Sequence, residues 1–228
     1  MKPYTAAPTG LCNTLFHEDG DVPAMLDFRA DSARANPGQE TRIGVQNTVL
    51  YPLFMDVTGR RCVVVGGGGV ASRKARGLAE SGARVTVISP EVTPEIEEME
   101  MEVHLRPYEP GDLAGSALAF AATDSRGVNA AVAREAKERG IPVNVADRPA
   151  EGDFALPSTL RRGALQVAVS TGGASPTLAR RVRDALEPSF VPEWAGIVES
   201  LRSARAEGRE VDPGTEEEVV RCLSRLRG

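Results

Sequence analysis

Apolar positions fall into short unbroken runs that alternate with stretches of helical period. Cys62–Val65 is a continuous apolar, β-branched run, the pattern of a strand covered on both faces. Four glycines follow, Gly66–Gly69. Val70, Ala71, Ala75, Leu78 and Ala79 then recur at helical spacing, with Arg73, Lys74, Arg76 and Glu80 on other faces. Gly82 closes that helix, and Ala83–Ile88 is a second strand. Thr93 as N-cap with Pro94 at the first helical position starts a short acidic helix. Val103–Arg106 alternates as a third strand at the sheet margin, His104 included, and Ala117–Ala122 is a fourth. Thr123–Asp124 is expected to cap a helix from about Val128 to Arg139, stopped by Gly140. Ile141–Ala146 is a fifth strand ending at Asp147. Such alternation implies an α/β fold with a doubly wound parallel sheet.

The rhythm then changes. Phe154–Ser158 and Ala164–Val169 are expected to pair antiparallel through a turn at Arg161–Gly163. Ser175 and Pro176 open a helix running to about Glu187. Two more helices, about Pro192–Glu207 and Thr215–Leu226, finish the chain, the last with Thr215 as its start signal and Glu216–Glu218 in its first turn. Residues 1–48 mix Pro, Gly, Asn, Asp and Thr without a sustained period and read as a disordered extension or loosely packed coil. At most a short helix is expected there, at Pro23–Phe28; Cys12 and His17 read as solvated residues rather than ligands. That stretch lacks the basic start and apolar core of a secretory signal, and translation from nearer Val49 or Met55 is an expectation that mass spectrometry of the native amino terminus checks. The expected units are 1–48, 49–149, 150–187 and 188–228.

Composition narrows the function classes. Of 228 residues, 27 are Lys or Arg and 32 Asp or Glu, for a net charge of -5, which lacks the basic signature of a nucleic-acid binder. One Trp, three Tyr and six Phe leave little for base-stacking platforms. No apolar run reaches membrane-spanning length. Three scattered cysteines form no C-x-x-C pair, so no zinc knuckle or disulfide framework is indicated and the composition suits a reducing cytoplasm; Cys62, in mid-strand, is a small buried hydrophobe.

Gly66, Gly68 and Ala71 satisfy G-x-G-x-x-A. The first glycine allows the turn out of the strand, the second lets a pyrophosphate approach the backbone, and the alanine permits close helix–strand packing. The helix start supplies N–H donors and a favourable dipole. A glycine turn alone is equally compatible with a turn that binds nothing. Strand, turn, helix and strand in order within about thirty residues favour a dinucleotide. The carboxylate expected at the end of the second strand is replaced by Ser89 and Pro90, with Glu91 just beyond. Glu91 argues mildly against a 2′-phosphate, and Arg84 lies too far back along the strand to argue for one.

Ligands in such a sheet sit beyond the carboxyl ends of the strands. Thr123 and Asp124 arrive there as caps, with contact to a nicotinamide ribose as the second reading. Asp147 arrives without a helix to cap, because Arg148–Pro149 leads into a loop; a proton acceptor and a simple Asx-turn stand as equal readings. Thr171–Gly172–Gly173 before a helix start forms a second anion cradle. With Arg148, Arg161, Arg162, Arg180 and Arg181 it suggests a substrate carrying several carboxylates or phosphates, against the alternative of a solvated basic face.

These motifs together resemble a known family: Val-Gly-Gly-Gly-x-Val-Ala-x-Arg-Lys at 65–74, Gly-Ala-x-Val-Thr-Val at 82–87, Ala-Ala-Thr-Asp at 121–124, Val-Asn-Val-x-Asp at 143–147, Phe-x-x-Pro-Ser at 154–158 and Ser-Thr-Gly-Gly-x-Ser-Pro-x-Leu-Ala at 170–179. Over about Tyr51–Glu187 the chain resembles the siroheme synthase dehydrogenase module, that is, precorrin-2 dehydrogenase, in some members also sirohydrochlorin ferrochelatase. The resemblance implies a Rossmann-type sheet followed by a small α+β dimerisation region and C-terminal helices. It implies NAD-dependent oxidation of precorrin-2, a tetrapyrrole with eight carboxylates, to sirohydrochlorin in a cytoplasmic homodimer. Asp147 inherits the catalytic role. The dinucleotide site maps to Gly66, Gly68, Gly69, Val70, Ser89, Pro90, Glu91 and Thr123. Asn144, Arg148, Ser170, Thr171 and Gly172 fall on the tetrapyrrole side. In members that are chelatases, Fe²⁺ is a further substrate, held by the macrocycle, and Asp147 would take its pyrrole protons. No methyltransferase domain follows in this sequence, and the helices after Phe190 diverge from the family pattern. Two other readings stay open: a non-catalytic NAD- and tetrapyrrole-binding regulatory module, and a dehydrogenase of another polycarboxylate.

Overall fold

The computed structural model describes residues 50–226; the expectations for residues 1–48 lie outside the described residues. Strands β1 (Arg61–Val65), β2 (Arg84–Ile88), β3 (Glu102–His104), β4 (Leu118–Ala121) and β5 (Val143–Val145) form one parallel sheet in the order β3-β2-β1-β4-β5. Alternation within each strand sends side chains to two separate cores. Cys62, Val64, Val85, Val87, Leu118 and Phe120 pack with Ala71, Ala75 and Leu78 of α1 (Gly69–Ala79) and with Ile96 of α2 (Pro94–Glu97). Val63, Val65, Ile88, Ala119, Ala121, Val143 and Val145 pack with Val132 and Ala136 of α3 (Arg126–Arg139). Burial on both faces explains why these strands read as unbroken apolar runs. Cys62 is fully buried, as a small hydrophobe should be. His104 lies on the edge strand against Glu102 at 2.9 Å.

A 3₁₀ turn at Pro149–Glu151 leads away from the sheet. Asp153 then runs beside β5, its N–H bonded to the Val143 carbonyl at 2.8 Å. Beyond it, β6 (Ser158–Arg162) and β7 (Leu165–Val169) pair antiparallel. The first strand of this hairpin is therefore later than the expected Phe154–Ser158. Phe154 instead packs edge-on against Phe120 in the first core, with centroids 5.5 Å apart. The turn moves with it, from Arg161–Gly163 to Gly163–Ala164, because the positive φ of Gly163, 57°, is what a two-residue hairpin needs.

Helix α4 (Pro176–Leu186) packs on this hairpin and is capped as expected, by Ser175 Oγ accepting from the Leu178 N–H. Helices α5 (Trp194–Glu207) and α6 (Pro213–Ser224) share a third core of Trp194, Ile197 and Cys222. Asp212, not Thr215, caps α6: its carboxylate takes both the backbone N–H and the hydroxyl of Thr215. A similar correction applies to α3. Ser125 caps it, because the Thr123 hydroxyl is already committed to Ser125 and Asn129.

Candidate active site

Strand order reverses between β1 and β4, so the loops leaving their carboxyl ends diverge and open a crevice. Four glycines line its floor, and they differ. Gly66 has φ 125°, and a Cβ there would lie 2.3 Å from the Ala122 carbonyl oxygen. A Cβ on Gly67 would lie 1.9 Å from the Glu91 carbonyl oxygen. These two fit β1 against the loops after β4 and β2. Gly68 is the opposite case: its Cβ would meet nothing within 4 Å. It is the N-cap of α1 and brings no side-chain cap, and the first turn holds no acidic residue. The first amides of the helix and the positive end of its dipole therefore face open space, with Gly68, Gly69 and Val70 exposed. A dinucleotide pyrophosphate fits this cradle chemically and sterically.

The loop after β2 forms the rim. Ser89 is nearly buried, while Pro90 and Glu91 are exposed. Arg84 sits at the other end of β2, donating to the Gly59 carbonyl at 2.8 Å.

At the far wall, one side chain joins two of the expected site residues. Asn129, fully buried on α3, donates from Nδ2 to Asp147 Oδ1 at 2.9 Å and to the Thr123 carbonyl at 2.9 Å. Its Oδ1 accepts from the Thr123 N–H at 3.1 Å and the Thr123 hydroxyl at 2.8 Å. Arg126, on the same helix, stands 3.4 Å from Asp147 Oδ2 and also pairs with Glu151. Asp147 remains about one-third exposed, so its carboxylate is held from behind and open in front. Contacts thus run Glu91–Gly67–Gly66–Ala122–Thr123–Asn129–Asp147 across the carboxyl ends of β2, β1, β4 and β5.

Asn144 lies lower on β5 and is buried. Its Oδ1 accepts from Lys74 Nζ at 2.6 Å, and its Nδ2 donates to the Phe154 carbonyl at 2.9 Å. Lys74 also sits 5.3 Å above the Phe120 ring. Burial pushes its ammonium pKa down, and the neighbouring charge of Arg73 adds to this. The pair fastens the segment around Phe154 to the helix that carries the glycine cradle.

Ser170, Thr171 and Gly172 lie in the turn between β7 and α4. The Gly172 N–H donates to Ser170 Oγ at 3.2 Å, and Thr171 Oγ1 accepts from the Ser175 N–H at 3.0 Å. The basic residues divide: Arg148 is exposed beside Asp147, whereas Arg161 bonds Ser81 and Arg162 bonds the Phe190 carbonyl and Glu187. Asn129 and Lys74 carry no expected site role, and Gly67 enters the expectations only as part of the glycine run. A single Asn inside a helix carries no motif, whereas the run of four glycines did contain a signal for Gly67.

A family model described as NAD(P)-binding matches residues 53–158, and one described as sirohaem biosynthesis protein central matches residues 162–188. The siroheme synthase of Methylobacillus flagellatus is 45% identical over 163 residues, 70% of this chain and 34% of that protein. That of Pseudomonas paraeruginosa is 46% identical over 159 residues, 67% of this chain and 34% of that protein. The chain thus spans about a third of the length of these relatives. Among solved structures, SirC, precorrin-2 dehydrogenase, superposes with a TM-score of 0.61 at 28% identity, covering 78% of this chain and 98% of that one. An open glycine cradle that suits a nicotinamide dinucleotide, and a carboxylate at the tip of the fifth strand, thus sit within a sequence that carries an NAD(P)-binding region and a sirohaem-biosynthesis central region and is similar to siroheme synthases over about a third of their length.

Proposed function

We propose that the chain oxidises precorrin-2 to sirohydrochlorin with NAD⁺ as hydride acceptor. The observation that carries this reading is Asp147, anchored from behind by Asn129 and Arg126 and open in front, at the wall of the crevice floored by the glycine cradle. The nicotinamide, when bound, takes up the hydride. The chain's own residues supply the rest. Gly68, Gly69 and Val70 hold the pyrophosphate through backbone amides. Thr123 stands at the strand end next to β1 and would meet the nicotinamide ribose. Asp147 accepts the proton that leaves as the hydride is lost, so precorrin-2 gives up one hydride and one proton, two electrons in all, in the step. Arg148 and the turn at Ser170–Gly172 would receive substrate carboxylates. Buried Asn144 keeps the Phe154 segment in register beneath them.

Glu91, exposed at the rim after β2, supports NAD over NADP, since a carboxylate there accepts from ribose hydroxyls and repels a 2′-phosphate. The reading includes a homodimer. Leu178, Val182 and Leu186 of α4 are 51%, 38% and 36% exposed at four-residue spacing, forming an apolar stripe suited to a second copy.

Purified protein given NAD⁺ and precorrin-2 should yield the absorption spectrum of sirohydrochlorin. Asp147→Asn should slow single-turnover hydride transfer by about 10²- to 10⁴-fold, the usual weight of a positioned general base. Full activity in that variant would remove Asp147 from the mechanism. Binding of both ligands without turnover would leave a regulatory module instead.

A further inference from the structure

Asn129 is fully buried, and every hydrogen-bonding position of its amide is used. Such a group is costly to bury unless it is satisfied, and here its partners belong to two different strand ends. Three bonds fix the loop after β4 at Thr123, and a fourth pins one oxygen of Asp147 on the loop after β5. Helix capping does not account for it, since Ser125 already caps α3. Arg126 reaches only the other carboxylate oxygen, at 3.4 Å, and is shared with Glu151. Asn129 is therefore the shorter and better-buried of the two restraints on Asp147.

We infer that Asn129 is a positioning residue: its Nδ2–H fixes the Asp147 carboxylate in line with Thr123, so that the proton acceptor and the cofactor-side loop keep one spacing. Its effect on the hydride-transfer step, read with the cofactor saturating, runs through Asp147. This rests on the catalytic reading of Asp147 above, and the test separates the two.

The experiment is a double-mutant cycle on the full chain, read by single-turnover hydride transfer with saturating NAD⁺ and precorrin-2. The four proteins are the parent, Asn129→Leu, Asp147→Asn and the double variant. Asn129→Leu should lower the rate by about 10- to 100-fold, the loss of one hydrogen bond to a charged group, and saturating NAD⁺ keeps any weaker cofactor binding through the Thr123 loop out of that rate. In the Asp147→Asn background the same substitution should change the rate by less than about twofold. An equal loss in both backgrounds would mean general damage to the fold and would overturn the inference while leaving Asp147 catalytic. Full activity in Asp147→Asn alone would overturn the reading beneath it.

Asn129→Asp gives an independent arm that keeps side-chain size and the oxygen that Thr123 donates to. It replaces the donor to Asp147 by a second carboxylate and should lower the rate at least as much as Asn129→Leu. A parental rate in Asn129→Asp would overturn the inference. A crystal structure of either Asn129 variant should show the Asp147 carboxylate rotated from its present orientation, and an unmoved carboxylate would also count against it.

Discussion

Gly68→Ala separates cofactor binding from folding more cleanly than any other substitution on the crevice floor. The residue has φ -84° and ψ -178°, a conformation open to alanine, and the new methyl would meet no protein atom within 4 Å. Alanine is a poorer N-cap than glycine, by roughly 0.5–1 kcal/mol. It also restricts the unfolded chain, which returns about 0.4–1 kcal/mol. The two effects offset, so the thermal midpoint should move by less than about 4 °C, the shift that a full 1 kcal/mol would bring in a chain of this size. Binding is another matter. The methyl occupies the space through which a pyrophosphate reaches the amides of α1, and losing one hydrogen bond to a charged group costs about 1.5–3 kcal/mol. The NAD⁺ dissociation constant, read by calorimetry, should rise by about 10- to 150-fold. Gly67→Ala is the control. Its methyl would lie 1.9 Å from the Glu91 carbonyl oxygen, a backbone atom that cannot swing aside, so it should lower the midpoint markedly. Parental NAD⁺ affinity in Gly68→Ala would refute the assignment of the anion to this helix start. So would the reverse ranking, with Gly68→Ala the unstable protein and Gly67→Ala the stable one.

Two further outcomes follow from contacts outside the crevice. Arg106 clasps both carboxylate oxygens of Asp112, at 2.7 and 2.8 Å, and holds its pKa below the ordinary carboxylate value. The unfolded chain therefore takes up this proton first on acidification, so the contribution is complete above about pH 5 and is lost as pH falls through the folded value. Asp112→Asn should destabilise the protein by roughly 1.5 kcal/mol at pH 7 in urea titrations and by much less near pH 3, and a pH-independent difference would contradict this account. On α4, Val182→Glu should convert a dimer into a monomer in sedimentation experiments with little change in the thermal midpoint, and a dimer that persists would move the proposed interface elsewhere.

The parallel sheet, the glycine turn and the arrival of Asp147 at a strand end without a helix to cap were all legible in the amino-acid order. Those features are written in local patterns: unbroken apolar runs for strands buried on both faces, helical spacing after Gly69, and Arg148–Pro149 barring a helix. Features that depend on partners distant in the chain emerged only on folding. The hairpin shifted because Phe154 found Phe120, some thirty residues earlier, a better neighbour than a paired strand. Gly67 became indispensable only when the Glu91 carbonyl packed against it, and Gly68 free only because nothing did. Lys74 met Asn144 across 70 positions of sequence, and Asn129 met Asp147 across 18. A hydrogen bond between residues that far apart leaves no period or spacing to read, because it is set by which strand ends the sheet brings side by side.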